Sequence, residues 1–345
     1  MSAPDPSPLT ACLFNLIIYT SESRRSTFIR GMVLKVMEKF PCKIIFIEEN
    51  KEAKERNYLA VNESTIKIPL GGTSVACDFI HYEVSASVIS QIPYMVIPNL
   101  VPDLPIYLLW GQDPTEESPI FKPLQKIACK LIFDSESADD FLGFCKKMLY
   151  FMDHSSPDSM DTQWAALSSW RDIIIQAFDT EERIEVLRRS HKMEIRFNNS
   201  TNELFHHPRV RALFLQGWIA ARMGWHYKSS QRNGDLLQFN YEGPAGTVEV
   251  FLIPQQNPGL NPGRIFSFTV WGENEEATEI KRLPEQSKVM VKVAKADVCA
   301  MPYVLPIKDL FKSTTFMREV FYRRCSSHYH QMLRNLIHIP KEVLQ

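Results

Sequence analysis

Within the first 50 residues, two short apolar runs flank an amphipathic segment: LFNLIIY at 13–19, KIIFI at 43–47, and residues 23–40 between them. In that segment Phe28, Met32, Val36 and Phe40 recur every four residues, with Arg24, Arg25, Lys35 and Lys39 interspersed. This spacing puts the apolar groups on one helix face, and Pro41 stops the helix. The flanking runs are rich in β-formers and too short for buried helices, so they read as strands. Strand, helix, strand in this order joins two parallel strands through a right-handed crossover. An α/β layer follows, not a sandwich or a bundle.

The alternation continues with strands at 65–70 and 79–85 around Gly71-Gly72, and a proline-interrupted helical stretch at 88–100. Next come a strand at 105–110, a short helix at 119–129 and a strand at 130–133. A capping box of Ser137 with Asp140 opens a helix running to about residue 152. Residues 11–153 are therefore predicted to form an α/β domain with a mostly parallel sheet. The Pro/Ser-rich residues 1–10 predict disorder, and the polar HSSPDSMD at 154–161 predicts a linker.

Beyond it the pattern changes. A helix from Ser169, with Ser169 and Asp172 as its capping box, aligns Trp170, Ile173, Ile174, Ala177 and Phe178 on one face. A strand at 191–197 precedes a helix at 208–225, which has Pro208 in its first turn and Gly224 near its end. Strands at 236–241, 247–253, 264–271 and 288–294 follow, then a last helix from about 306 to 337. Residues 162–345 are predicted as an α+β domain, an antiparallel meander with helices.

Net charge is −1, with 39 Lys+Arg against 40 Asp+Glu. That offers no charge excess for nucleic acid or an anionic membrane. The longest apolar region, 92–110, contains Pro93, Pro98, Pro102 and Pro105, which argues against a membrane helix. No positive charge precedes the run at 13–19, so it does not read as a secretory signal. The 7 Cys include no C-x-x-C pair and read as buried thiols in a reducing compartment. The expected location is cytoplasmic.

Catalytic chemistry is hard to find. G-x-G-x-x-G is absent, and the first strand–helix turn is Thr20-Ser21-Glu22-Ser23, which reads as an N-cap. There is no P-loop, no G-x-S-x-G and no H-E-x-x-H. Cys325-x-x-His328-x-His330 lacks the convergence and the fourth ligand of a zinc site, and His206-His207 reads as a helix entrance. The expectations are no enzyme activity, no cofactor and no metal. Tryptophan and arginine stand out instead, in VPDLPIYLLWG (101–111), MDTQWAALSSWRDIIIQAFD (160–179) and LQGWIAARMGW (215–225). These residue types either anchor interfaces or fill cores. Trp110, Gly111, Trp164, Trp170, Arg171, Trp218, Arg222 and Trp225 are the candidate partner-binding residues. Arg171 is expected to meet a carboxylate, inside the fold or on a partner.

These three segments, in this order and about 50 residues apart, resemble the glucose-6-phosphate dehydrogenase assembly proteins of the OpcA family. Leu109 stands where the family often has the first Trp of a pair, no Arg follows Gly111, and Ser168-Ser169 replaces Thr-Pro. The resemblance implies a non-catalytic protein that binds glucose-6-phosphate dehydrogenase and promotes its assembly or activates it allosterically. The competing readings are a sugar-phosphate sensor or enzyme using the N-terminal domain around 21–23 and 111–113, and a redox-responsive regulator.

Overall fold

In the computed structural model, residues 9–21, 24–51, 57–70, 73–154, 157–202, 205, 207–257, 259–273, 276–284, 287–295, 298–307 and 327–344 are described. The N-terminal eight residues and Cys325, on which two sequence expectations fall, lie outside them, as does most of the predicted last helix. Contacts divide the chain into two compact units, Met1–Ala138 with His154–Met160, and Asp139–Asp153 with Asp161–Gln345.

The first unit is an α/β layer. Its strands are β1 (Leu9–Thr10), β2 (Asn15–Ser21), β3 (Lys43–Asn50), β4 (Leu59–Leu70), β5 (Thr73–Ser85), β6 (Ile106–Trp110), β7 (Lys130–Phe133) and β8 (Asp158–Asp161). The order is β1-β5-β3-β2-β6-β7-β8, with β4 paired antiparallel to β5. The pairs from β1 to β7 along this path are parallel. Helix α1 (Arg24–Met37) makes the β2–β3 crossover and buries Ile29, Met32, Val33, Val36 and Met37. The sequence order reverses at β2, which lies between β3 and β6. The stretch expected to be one helix at 88–100 is broken into a 3-10 turn Ile89–Gln91, α2 (Ile92–Val96) and a second turn Ile97–Asn99. Pro93 and Pro98 each sit in the first turn of a piece, where a missing N–H costs nothing. The short helix expected at 119–129 is α3 (Phe121–Ile127).

Two boundaries differ from the sequence expectation. The helix α4 (Phe141–His154) groups with the second unit because its apolar face is buried there, with Phe141 packed on Phe214 at 5.6 Å. Asp140 caps it by accepting the Gly143 N–H at 3.0 Å, while Ser137 ends a separate 3-10 turn, Ser135–Ser137. The expected linker holds β8, whose Ser159, Met160 and Asp161 are buried despite the segment's polar composition.

The second unit places α5 (Thr162–Ala166), α6 (Ser168–Ala177), α7 (Glu181–Arg188), α8 (Val210–Met223) and the helix Ser327–Leu336 with a nine-stranded sheet. Its strands are β9 (Lys192–Asn198), β10 (His226–Asn233), β11 (Leu236–Gly243), β12 (Gly246–Gln255), β13 (Ile265–Trp271), β14 (Ala277–Arg282), β15 (Lys288–Lys295), β16 (Val298–Cys299) and β17 (Tyr303–Pro306). All neighbours pair antiparallel except β9 with β12. The alternation Met193, Ile195, Phe197 and Val289, Val291, Val293 turns one face inward. Gly224 ends α8 in the left-handed region at φ 72°, which favours glycine. Leu167, not Ser169, precedes α6, and no side chain caps it. Pro306, expected to begin the last helix, closes β17 instead.

Candidate functional site

In an open α/β sheet, ligands bind outside the carboxyl ends of the strands where the strand order reverses. Here that place lies between β2 and β6. Asn15 holds the approach to β6 from both sides: its amide donates to Val101 O at 3.0 Å, and its carbonyl accepts the Val101 N–H at 2.8 Å. The strand then delivers Trp110, whose ring lies 4.2 Å from Tyr19 and meets Phe121 edge-on at 4.8 Å. Gly111 follows, and its N–H donates to Tyr19 O at 2.8 Å.

Charged groups gather at the same end of the sheet. Arg25, in the first turn of α1, donates from Nε and Nη2 to Asp134 Oδ2 at 2.8 and 2.5 Å. Glu48, near the end of β3, accepts from Ser26 Oγ and pairs with His81 Nε2 at 3.1 Å. The His81 contact, helped by Ser26, holds the Glu48 carboxyl below the usual carboxylate range despite burial. Tyr19 donates its hydroxyl to Glu49, and burial together with that carboxylate pushes the phenol far up, so it stays protonated. Among the described residues these groups pair with one another, and the Ser26 hydroxyl is bonded to the Glu48 carboxylate. None of Arg25, Ser26, Glu48, His81 or Asp134 stood out in the sequence. The one available signal was acidic Glu48-Glu49 at the end of the second strand of a βαβ unit, the position that takes a ribose in dinucleotide folds.

The Trp/Arg segments are mostly interior. Trp110, Trp164, Trp170, Trp218 and Trp225 are 1%, 1%, 5%, 5% and 2% exposed, and Gly111 is buried. Their indoles present almost no free surface, because the strand, helix and turn positions that carry them face the core. Trp225 donates to Arg188 O at 3.0 Å. Arg171 is also internal. Its Nη1 donates to Trp164 O at 2.6 Å, and its guanidinium lies 3.8 Å from the centre of the Trp164 ring. Trp164 packs in turn on Tyr329 at 5.2 Å. Arg222, in the last turn of α8, is the exposed member of the set. Helix α8 runs beside Ser327–Leu336, with Gly217 against Met332 and Leu336. His328 on that helix is held below the ordinary imidazole range by burial and by the charges of Arg222 and Arg171. His330 bonds Asp153 at 2.7 Å. Among the described residues no cluster of His, Cys, Asp and Glu has metal-binding form, and no helix is long and apolar enough to cross a membrane.

Residues 34–148 match the family described as glucose-6-phosphate dehydrogenase subunit N-terminal domain, and residues 157–303 match the corresponding C-terminal domain. A Synechococcus elongatus protein named for the OxPP cycle, OpcA, is 26% identical over 268 residues, which are 74% of this chain and 58% of that protein. The Nostoc punctiforme OpcA is 25% identical over 202 residues, 56% of this chain and 41% of its own length. The chain thus spans about half the length of these relatives. Among solved structures, a 3-ketoreductase from Actinomadura kijaniata, in complex with TDP-benzene and NADP, is similar with a TM-score of 0.51 and 11% identity, covering 94% of this chain and 95% of that one. A super-repressor mutant of Gal80p from Saccharomyces cerevisiae is similar at 0.50 and 9% identity, covering 95% and 94%. At such identities these likenesses concern the fold alone. With both of its domains matched over most of its length, the chain belongs to the OpcA family of glucose-6-phosphate dehydrogenase assembly proteins.

Proposed function

We propose that this chain is a cytoplasmic, non-catalytic partner of glucose-6-phosphate dehydrogenase, binding that enzyme and promoting its active oligomeric state in the oxidative pentose phosphate pathway. Family membership across both domains carries the reading. The missing catalytic motifs support it from the sequence side. To activate its partner allosterically, the chain must bind the active form more tightly than the inactive one, since equal affinity shifts nothing.

Interior tryptophans brace the fold in this reading, and Arg222 contributes to the contact surface because its charge is exposed. The test is co-purification with the cognate dehydrogenase, with dehydrogenase activity assayed before and after reconstitution. Capture together with raised activity is expected; no capture by the purified full chain would sink the reading. Arg222→Glu is expected to weaken capture about tenfold or more through charge reversal. Its stability should stay within about 1 kcal/mol of the parent, because only an exposed charge near a helix end changes. Unchanged capture would remove Arg222 from the interface.

A further inference from the structure

We infer that the crevice at the carboxyl end of the first sheet, where chains of this fold hold a dinucleotide, is closed by this chain's own side chains and takes no NAD or NADP. The likeness to a reductase solved with NADP implies that cofactor by fold alone. A dinucleotide at the reversal point needs three things. Its pyrophosphate must approach the backbone between the first strand and its helix. Its ribose needs a free acidic side chain at the end of the next strand. Space must remain between the two strands that flank the reversal.

Among the described residues the last two are not met. The space is taken by the chain itself: a Cβ built on Gly111 would lie 2.8 Å from Ile29 Cδ1 and 3.1 Å from Tyr19 O. The segment leaving β6 therefore packs against both the end of β2 and α1, and a methyl group there would have to displace the Ile29 side chain and crowd the Tyr19 carbonyl. Glycine serves close chain packing here, where dinucleotide folds use it to admit a phosphate. The ribose acids are spent, Glu48 on Ser26 and His81, and Glu49 on Tyr19. Arg25 is positioned near the phosphate place but bound to Asp134 at the end of β7. Since β6 lies between β2 and β7, this pair spans the carboxyl end of β6. Its side chains are only 9% and 2% exposed.

The crevice has thus become a polar lock joining α1, β3, β5 and β7, and any nicotinamide chemistry in a complex belongs to the partner. Two donors on the same floor, Trp110 Nε1 and Gln112 Nε2, have no acceptor among the described residues. A sugar phosphate small enough to reach them is the alternative to be separated.

The experiment titrates the full chain separately with NADP, NAD and glucose 6-phosphate, by calorimetry and thermal shift, to about a hundred times a micromolar dissociation constant. No heat and no melting shift are expected. Saturable binding of either dinucleotide, or of glucose 6-phosphate, overturns the closed crevice. Gly111→Ala measures closure directly. It should lower the melting temperature by roughly 3–10 °C, the overpacking range, and unchanged melting would show that space exists and overturn the inference. If Gly111→Ala does not fold, the titration of the unaltered chain still decides. Capture of the dehydrogenase is read in parallel. Nucleotide binding with intact capture removes the closed crevice and leaves the proposed function standing; lost capture without nucleotide binding does the reverse.

Discussion

Arg25 in the first unit and Arg171 in the second are both 8% exposed and both stand in the first turn of a helix. In that place each opposes the helix dipole at a cost of a few tenths to about 1 kcal/mol. Their described contacts differ. Arg25 gives two hydrogen bonds to one oxygen of Asp134. Arg171 stacks on the Trp164 ring and donates to the same residue's carbonyl. A buried carboxylate carries a full charge that must be matched, whereas an indole face and a carbonyl carry only partial charges. Equal burial and equal helix position therefore do not imply equal dependence on the partner.

The largest effect is expected at the first site. Asp134→Ala strands the Arg25 guanidinium in the interior and should cost about 3–5 kcal/mol by denaturant unfolding. A loss under about 1 kcal/mol would mean that water reaches the guanidinium, and the contrast would collapse.

Arg171→Ala should cost about 2–3 kcal/mol, from the lost ring contact and a buried carbonyl left without that donor. Arg171→Lys sharpens the comparison. It keeps the charge but not the planar stack, so it should recover only part of the loss. Full recovery would show that charge alone matters there, as at Arg25.

The smallest effect concerns pH. Glu48 is held below its ordinary range, so it contributes stability above the unfolded carboxylate pKa, and that contribution is lost as pH falls through the folded value. Melting of the parent should fall across that acid window, and Glu48→Gln should melt lower at neutral pH with a shallower acid decline. Parallel profiles for parent and variant would take Glu48 out of the lock.

The candidate site was only partly legible in the sequence. Trp164, Trp170 and Arg171 are conspicuous as residue types, but type does not separate anchor from core; that depends on which faces meet. Arg25 and Asp134 lie 109 positions apart, so no local pattern pairs them. α4 was readable as a helix from the capping signal before it, yet nothing local says which unit its apolar face joins. β8 was missed for a similar reason. Its residues are polar, and only a place at the sheet edge makes DSMD a strand. α7, capped by Thr180, and the strands β10, β14 and β17 were also missed, being polar or short.

By itself the sequence determined the elements whose period is strong, the parallel and antiparallel halves, and the family, because side-chain spacing and short motifs are local properties. Tertiary structure alone decided that the five candidate tryptophans are interior, that Arg171 stacks on Trp164, and that Glu48 meets His81 and Arg25 meets Asp134. Burial and ion pairing depend on which distant segments meet, and that is set by how the sheets and helices pack, not by any spacing along the chain.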